Sequence, residues 1–237
     1  MSNPPLNALL AAYRGYAGAD QDPAVAAVFR REAEALRRLD WPGRAAPVGA
    51  IAPDPAVPGP TGRPTPLSAL LRQGPLVVKF HRGRWCPYCT LDLRAWQRVA
   101  AELQSLGATL VTVSPQTEAE LALVRERDRL RLRMVSDADR AIARAFGVDY
   151  EVMPAVRELY RSAGIHLDRV NADAAWTLPL PAVFVIGPDR RIAWRHLDPD
   201  YRRRAEPGEV LAEIASLVLS ASPSPASGTR HPAAHLP

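Results

Sequence analysis

The sequence is poor in the residues that staple, anchor or chelate. It has two cysteines, Cys86 and Cys89, among 237 residues. A framework of structural disulfides is thereby excluded, since such frameworks need several pairs. The two cysteines form one C-x-x-C with no second such pair, and the closely spaced His231 and His235 lie in the C-terminal tail. No metal and no other cofactor is therefore expected. No apolar run reaches the roughly 18 residues that a membrane-spanning helix needs. The N-terminal stretch holds Tyr13, Tyr16, Asp20 and Asp22 in place of a continuous apolar segment with a cleavage site. No signal peptide is read there, and the cytoplasm is the expected compartment. Lysine is nearly missing: Lys79 is the only one, and arginine carries the rest of the basic charge. The net charge of +5 is no nucleic-acid footprint, because the arginines are scattered among acids, as in "RERDRLRLR". "GPTGRP" lacks the G-K-[ST] end of a phosphate loop, and no internal repeat is found.

What is present suits one ample α/β domain with extensions. Apolar residues make up 47% of the chain, enough for a sizeable core. Leu6, Leu9, Leu10 and Tyr13 recur at helical spacing, as do Val25, Val28, Phe29, Ala33 and Leu36. Asp22-Pro23 is a fitting start for the second helix. Residues 1–45 therefore read as an N-terminal helical extension, and 42–66, rich in proline and glycine, as an extended connector. "LSALLRQG" reads as a short helix closed by Gly74.

The main domain is expected over 46–220. "PLVVKF" (75–80) has the compact apolar character of a buried strand, and residues 87–106 place Leu93, Trp96, Val99, Ala100 and Leu103 on one helix face. A strand at 108–114, a helix at 117–129, a short strand near "LRMVSD" and a helix at 138–148 follow. Residues 149–178 read as an irregular insertion. Residues 182–187 and 191–196 read as an antiparallel hairpin, with a closing helix near 207–220. Parallel strands joined by helices, then a hairpin and a helix, give a three-layer α/β fold with a mixed central sheet. The tail over 221–237 is expected to be disordered.

The cysteines stand where a buried strand gives way to a helix. Unpaired N–H groups and the helix dipole at that point favour thiolate over thiol. Arg82 and Arg84 lie just upstream and add positive charge. Pro87 suits the first helical turn. The i, i+3 spacing lets the sulfurs meet, so that oxidation of one can be resolved by the other. Asp137 reads as a helix cap. Asp198 and Asp200 with Arg202, Arg203 and Arg204 read as a solvated turn, and His231 and His235 carry no assigned role. His81 could tune a thiol, although a residue at a strand end more often packs or faces solvent.

"VVKFHRGRWCPYCTLDLRAWQ" (77–97) resembles the active-site segment of the peroxiredoxin-like branch of the alkyl hydroperoxide reductase / thiol-specific antioxidant (AhpC/TSA) family. The resemblance extends through "VGAIAPD", "LVTVSPQT" and "VSDADRAIARAFGV" to "WTLPLPAVFVIGPDRRI", over most of 48–217. It implies a thioredoxin-like fold and reduction of hydrogen peroxide or organic hydroperoxides through sulfenic acid at a cysteine. It also implies a thioredoxin-like electron donor, with a homodimer as one assembly open to the chain. Within the family pattern Cys89 falls at the peroxidatic position, Cys86 at the usual threonine and Arg82 at the usual proline. Pro181 stands where the family carries an arginine, and it resembles the cis-proline that lies against the cysteines of thioredoxins. Trp85 would shield the pair. Two catalytic readings stay open: a peroxidase in which Cys89 attacks and Cys86 resolves, and a thioredoxin- or glutaredoxin-like disulfide oxidoreductase in which Cys86 attacks. A redox sensor without turnover is the third.

Overall fold

A computed structural model of the chain describes residues 4–16, 22–59, 63–171 and 175–221. Its organising element is the strand that precedes the cysteines, β3 (Leu76–Phe80), whose five residues are all buried. Both faces of β3 are covered, so the strand reads as continuously apolar. Alternation still sorts its side chains. Leu76, Val78 and Phe80 pack with Ile142, Phe146 and Phe184 on one face. Val77 packs with Leu93, Trp96, Val210 and Ile214 on the other. Lys79 falls by parity on this second face.

β3 pairs in parallel with β4 (Thr109–Ser114) and antiparallel with β8 (Ala182–Ile186). β5 (Arg133–Ser136) and β9 (Ile192–Leu197) complete a five-stranded sheet of order β5-β4-β3-β8-β9. The expected mixed sheet is thus present, with the 182–197 hairpin at one edge. Among the described residues, two further two-stranded sheets lie outside it. The connector folds back as β1 (Ala56–Pro58) on β2 (Pro64–Pro66), followed by a 3₁₀ turn over Leu67–Gln73. The 149–178 region is bracketed by β6 (Asp149–Glu151) on β7 (Thr177–Pro179).

Helices cover both faces. α4 (Pro87–Ser105) begins with Pro87 and lays Leu93, Trp96 and Leu103 on the sheet beside α9 (Pro207–Ala221). α5 (Glu118–Asp128) is capped by Thr117, whose hydroxyl accepts from the Glu120 N–H at 3.2 Å. The helix expected over 138–148 is confined to α6 (Ala141–Ala145). Arg140 takes a left-handed conformation at its start, and the Asp137 carboxylate caps it, accepting from the Ile142 and Ala143 N–H groups at 2.9 Å each. α7 (Pro154–Ser162) and α8 (Leu167–Val170) fill the insertion. At the N-terminus, α1 (Leu6–Tyr16) lies on α4, and α2 (Pro23–Arg37) lies on α7. The Asp22 carboxylate caps α2 at its Ala24 N–H, 2.8 Å away, and a short α3 (Trp41–Arg44) leads into the connector. No helix among the described residues is long and apolar enough to cross a membrane. The expected tail, with His231 and His235, lies outside the described residues apart from Ala221, which ends α9.

Gly147 is the tightest backbone crossing on this path. Its φ is +67°, and a Cβ there would lie 1.9 Å from the Arg44 carbonyl oxygen. Gly147→Ala therefore combines a strained conformation with a backbone clash. It is expected to lower the unfolding free energy by about 3 kcal/mol, read as a fall in urea midpoint at unchanged m.

Candidate active site

The loop between β3 and α4 carries the cysteines. Cys86 occupies the N-cap of α4, and Cys89 lies within its first turn. Gly83, with φ +137°, turns the loop; a Cβ there would come within 2.7 Å of the Trp85 indole nitrogen. Both sulfur-bearing residues are buried, Cys86 at 2% and Cys89 at 0% exposure, and both are free thiols.

Charge converges on the Cys89 sulfur. The Arg82 backbone N–H donates to Sγ at 3.4 Å, and the Arg204 Nη2 donates to it at 3.7 Å. Burial alone would push the Cys89 thiol up. The hydrogen bond from Cys86 and the charges of Arg204 and Arg82 outweigh it and hold the thiol at about 5. Cys86 goes the other way: burial, its hydrogen bond to Cys89 and the adjoining negative charge push it well above the ordinary thiol range. The site therefore divides the pair into a thiolate at Cys89 and a protonated thiol at Cys86.

Arg204 is placed by a buried ion chain. Its Nε donates to Asp92 Oδ2 at 3.0 Å, and Lys79 Nζ donates to the same oxygen at 2.5 Å. Asp92 lies one helical turn beyond Cys89, so α4 presents both groups together. The only lysine of the chain is thus a buried counter-ion, held also over the Trp96 ring at 5.6 Å. Arg82 lies within an aromatic cage. It donates to Tyr160 Oη, and its guanidinium carbon stands 4.1 Å from the Tyr201 ring centroid and 4.8 Å from that of Trp85. Burial, followed by the charges of Lys79 and Arg204, lowers His81 to about 3, so its imidazole is neutral at physiological pH.

The sequence-derived residues fare unevenly. Arg82 and Trp85 stand at the site. Arg84 turns away: its backbone N–H donates to Gln116 Oε1 at 2.9 Å, and its guanidinium pairs with Glu120. Pro181 is buried just before β8, whose Val183 pairs with Lys79 of β3. Its peptide bond is trans, against the expected cis form, as no cis bond occurs among the described residues. The Leu180 N–H donates to the Val148 carbonyl at 2.7 Å, and this pairing carries the chain from β7 into β8 in extended form.

The solvated turn expected at 198–204 is also corrected. Asp200 and Arg204 are buried, and Arg204 is drawn inward by Asp92 and the Cys89 sulfur. Sequence reasoning missed Arg204, Asp92, Lys79, Tyr160 and Tyr201 as site residues. A lysine inside the apolar run "PLVVKF" was the available signal, because a buried ammonium needs a carboxylate nearby.

Comparisons with known proteins bear on the family and the fold. The model of the AhpC/TSA family matches residues 48–195. A putative peroxiredoxin of Mycobacterium tuberculosis, found in two strains, is 33% identical over 92 residues. That match takes in 39% of this chain and 60% of the length of these curated relatives. Among solved structures, peroxidoxin BcpB of M. tuberculosis has a TM-score of 0.55 at 24% identity, over 72% of this chain and 97% of that one. A peroxiredoxin 6 of Arenicola marina scores 0.57 at 19% identity, over 76% of this chain and 79% of that one. Peroxiredoxin Q of Xanthomonas campestris scores 0.53 at 20% identity, over 74% and 99%. These likenesses show a thioredoxin-like fold.

The split between the two thiols has a definite pH signature. The folded value of Cys89, about 5, lies below the ordinary thiol value of 9.0. The thiolate's contribution to stability is therefore complete above the ordinary value and is lost as pH falls through about 5. Thiolate ultraviolet absorbance should titrate with a midpoint near 5, vanish in Cys89→Ser, and shift upward in Cys86→Ala, which removes the hydrogen-bond donor. The unfolding free energy should decline over the same window in the wild type and less in Cys89→Ser.

Proposed function

Because the chain belongs to the AhpC/TSA family, we propose that it is a thiol peroxidase that reduces hydrogen peroxide or organic hydroperoxides with Cys89 as nucleophile and Cys86 as resolving thiol. The carrying observation is the convergence of the Arg82 N–H and the Arg204 guanidinium on the Cys89 sulfur. Those donors hold a thiolate, and they can equally hold the oxygens of a peroxide that approaches it. Pro181 at the place of the family arginine leaves that task to Arg204, which arrives from another part of the chain.

The cycle balances with the groups present and needs no cofactor. The Cys89 thiolate attacks one peroxide oxygen, and the O–O bond breaks. The leaving oxygen takes up a proton and departs as water or alcohol, and Cys89 becomes a sulfenic acid. The Cys86 thiol then attacks the Cys89 sulfur; its proton leaves with the sulfenic oxygen as water, and a Cys86–Cys89 disulfide forms. A dithiol donor of the thioredoxin kind returns both thiols by exchange. In the cytoplasm such donors are abundant.

A disulfide oxidoreductase opening with Cys86 is disfavoured, because ionisation of that thiol is opposed by burial and by the neighbouring Cys89. The two readings separate in a coupled assay. With a thioredoxin system, the purified protein should consume hydroperoxide, and Cys89→Ser should abolish turnover. Arg204→Met should lower the rate of peroxide reaction by about a hundredfold. Insulin disulfide reduction by Cys86, without peroxide consumption, would instead support the exchange reading.

A further inference from the structure

Helix α1 lies over the reactive pair. Leu6 and Leu10 share one buried apolar cluster with Cys86, Tyr88, Cys89 and Ala95. Tyr13 meets Tyr88 edge-on, with ring centroids 5.3 Å apart. The start of α1 is clasped from the segment that follows β9. The Glu206 carboxylate accepts from the Leu6 and Asn7 N–H groups at 2.8 and 2.7 Å. The Asn7 side chain donates to the Arg204 carbonyl at 2.8 Å and accepts from the Arg204 N–H at 3.1 Å. The same arginine therefore touches the sulfur with its guanidinium and α1 with its backbone.

This arrangement conflicts with turnover as long as α1 stays in place. Reduction of a Cys86–Cys89 disulfide requires an incoming thiolate to touch a sulfur, and both cysteines are buried. A helix of 11 residues is marginal in water by itself. The clasp, Leu6, Leu10 and the Tyr13–Tyr88 contact lie at the surface side of α4 and can open together as a local unit.

Building on the peroxidase reading, we propose that α1 is a displaceable lid, and that the face of α4 beneath it, around Cys86, Tyr88 and Ala95, is where a protein dithiol docks to reduce the Cys86–Cys89 disulfide. The incoming thiolate bonds to the Cys86 sulfur, the disulfide breaks, and Cys89 leaves with the electron pair as thiolate. The donor's second thiolate then attacks its own first sulfur, forming the donor disulfide. Cys86 departs and takes a proton. Cys89 is the natural leaving group, since Arg82 and Arg204 receive its negative charge. The chemistry of the occupant follows from what it must do: it is a protein with an apolar rim around an exposed dithiol, able to replace Leu6 and Leu10.

The test uses the full-length chain with the disulfide formed by diamide, so it does not depend on peroxide being the substrate. Reduction rates are compared for a small dithiol, dithiothreitol, and for reduced thioredoxin, in wild type, Asn7→Ala and Glu206→Gln. Loosening the clasp raises the open fraction, and the observed rate scales with that fraction. Both variants should speed reduction by thioredoxin about tenfold, and by dithiothreitol several-fold less. Equal rates in wild type and variants with both reductants, or equal acceleration with both, would overturn the proposal. Hydrogen exchange on the unmutated protein supplies a second readout that no folding defect can obscure. Amides of residues 8–16 should exchange much faster than those of α4, and a bulky maleimide should label the reduced thiols at the rate of that opening. Protection of α1 equal to that of α4 would contradict a lid.

Discussion

The Arg204 guanidinium, held between the Asp92 carboxylate and the Cys89 sulfur, is the contact on which the site depends. Buried charge is tolerated only when it is paired and hydrogen-bonded. Around this loop Lys79, Arg82 and Arg204 are buried together with Asp92 and Glu32. The cations outnumber the carboxylates, and a thiolate at Cys89 redresses the balance. Reactivity and burial therefore have one cause. The fold packs arginines where water cannot screen them, and the sulfur between them ionises in consequence.

The fold assembles that contact by simple means. Strand alternation turns Lys79 toward α4, while its neighbours Val78 and Phe80 face the opposite core. One helical turn separates Cys89 from Asp92, so a single helix offers the sulfur and the carboxylate that positions its arginine. The chain then leaves the sheet edge after β9 and folds back, bringing Arg204 to Asp92 and Glu206 to the start of α1. The 149–178 insertion supplies Tyr160 to the other arginine, and the segment after β9 supplies Tyr201. The Arg82 N–H and the Arg204 guanidinium reach the sulfur itself, and Tyr160 and Tyr201 hold the Arg82 side chain beside it.

Much of the fold was legible before any coordinates. Helical spacing, buried strand runs and the Asp22-Pro23 start lead to the right element order, because periodicity reports local burial. The cysteines, Arg82 and Trp85 were legible for the same reason: they are close in sequence to one strand–helix junction. Arg204 was not. Its neighbours Asp198, Asp200, Arg202 and Arg203 give it the look of a charged turn, and only tertiary folding sets it against Asp92. Both Arg204 and α1 also fall outside the residues 48–195 that match the family model. The cis form of Pro181 was expected by analogy, and the hydrogen bond from Leu180 to Val148 shows a chain already committed to extended pairing there.

The division of labour between the two cysteines is the central claim, and it follows from which sulfur the arginines reach. Cys89 receives both, and Cys86 serves it as hydrogen-bond donor. The direct measurement is mass spectrometry of Cys86→Ser and Cys89→Ser after one equivalent of hydroperoxide in the presence of a sulfenic-acid trap. The account predicts a trapped adduct on Cys89 in Cys86→Ser and none on Cys86 in Cys89→Ser. An adduct on Cys86, with Cys89 unmodified in the complementary variant, would contradict it.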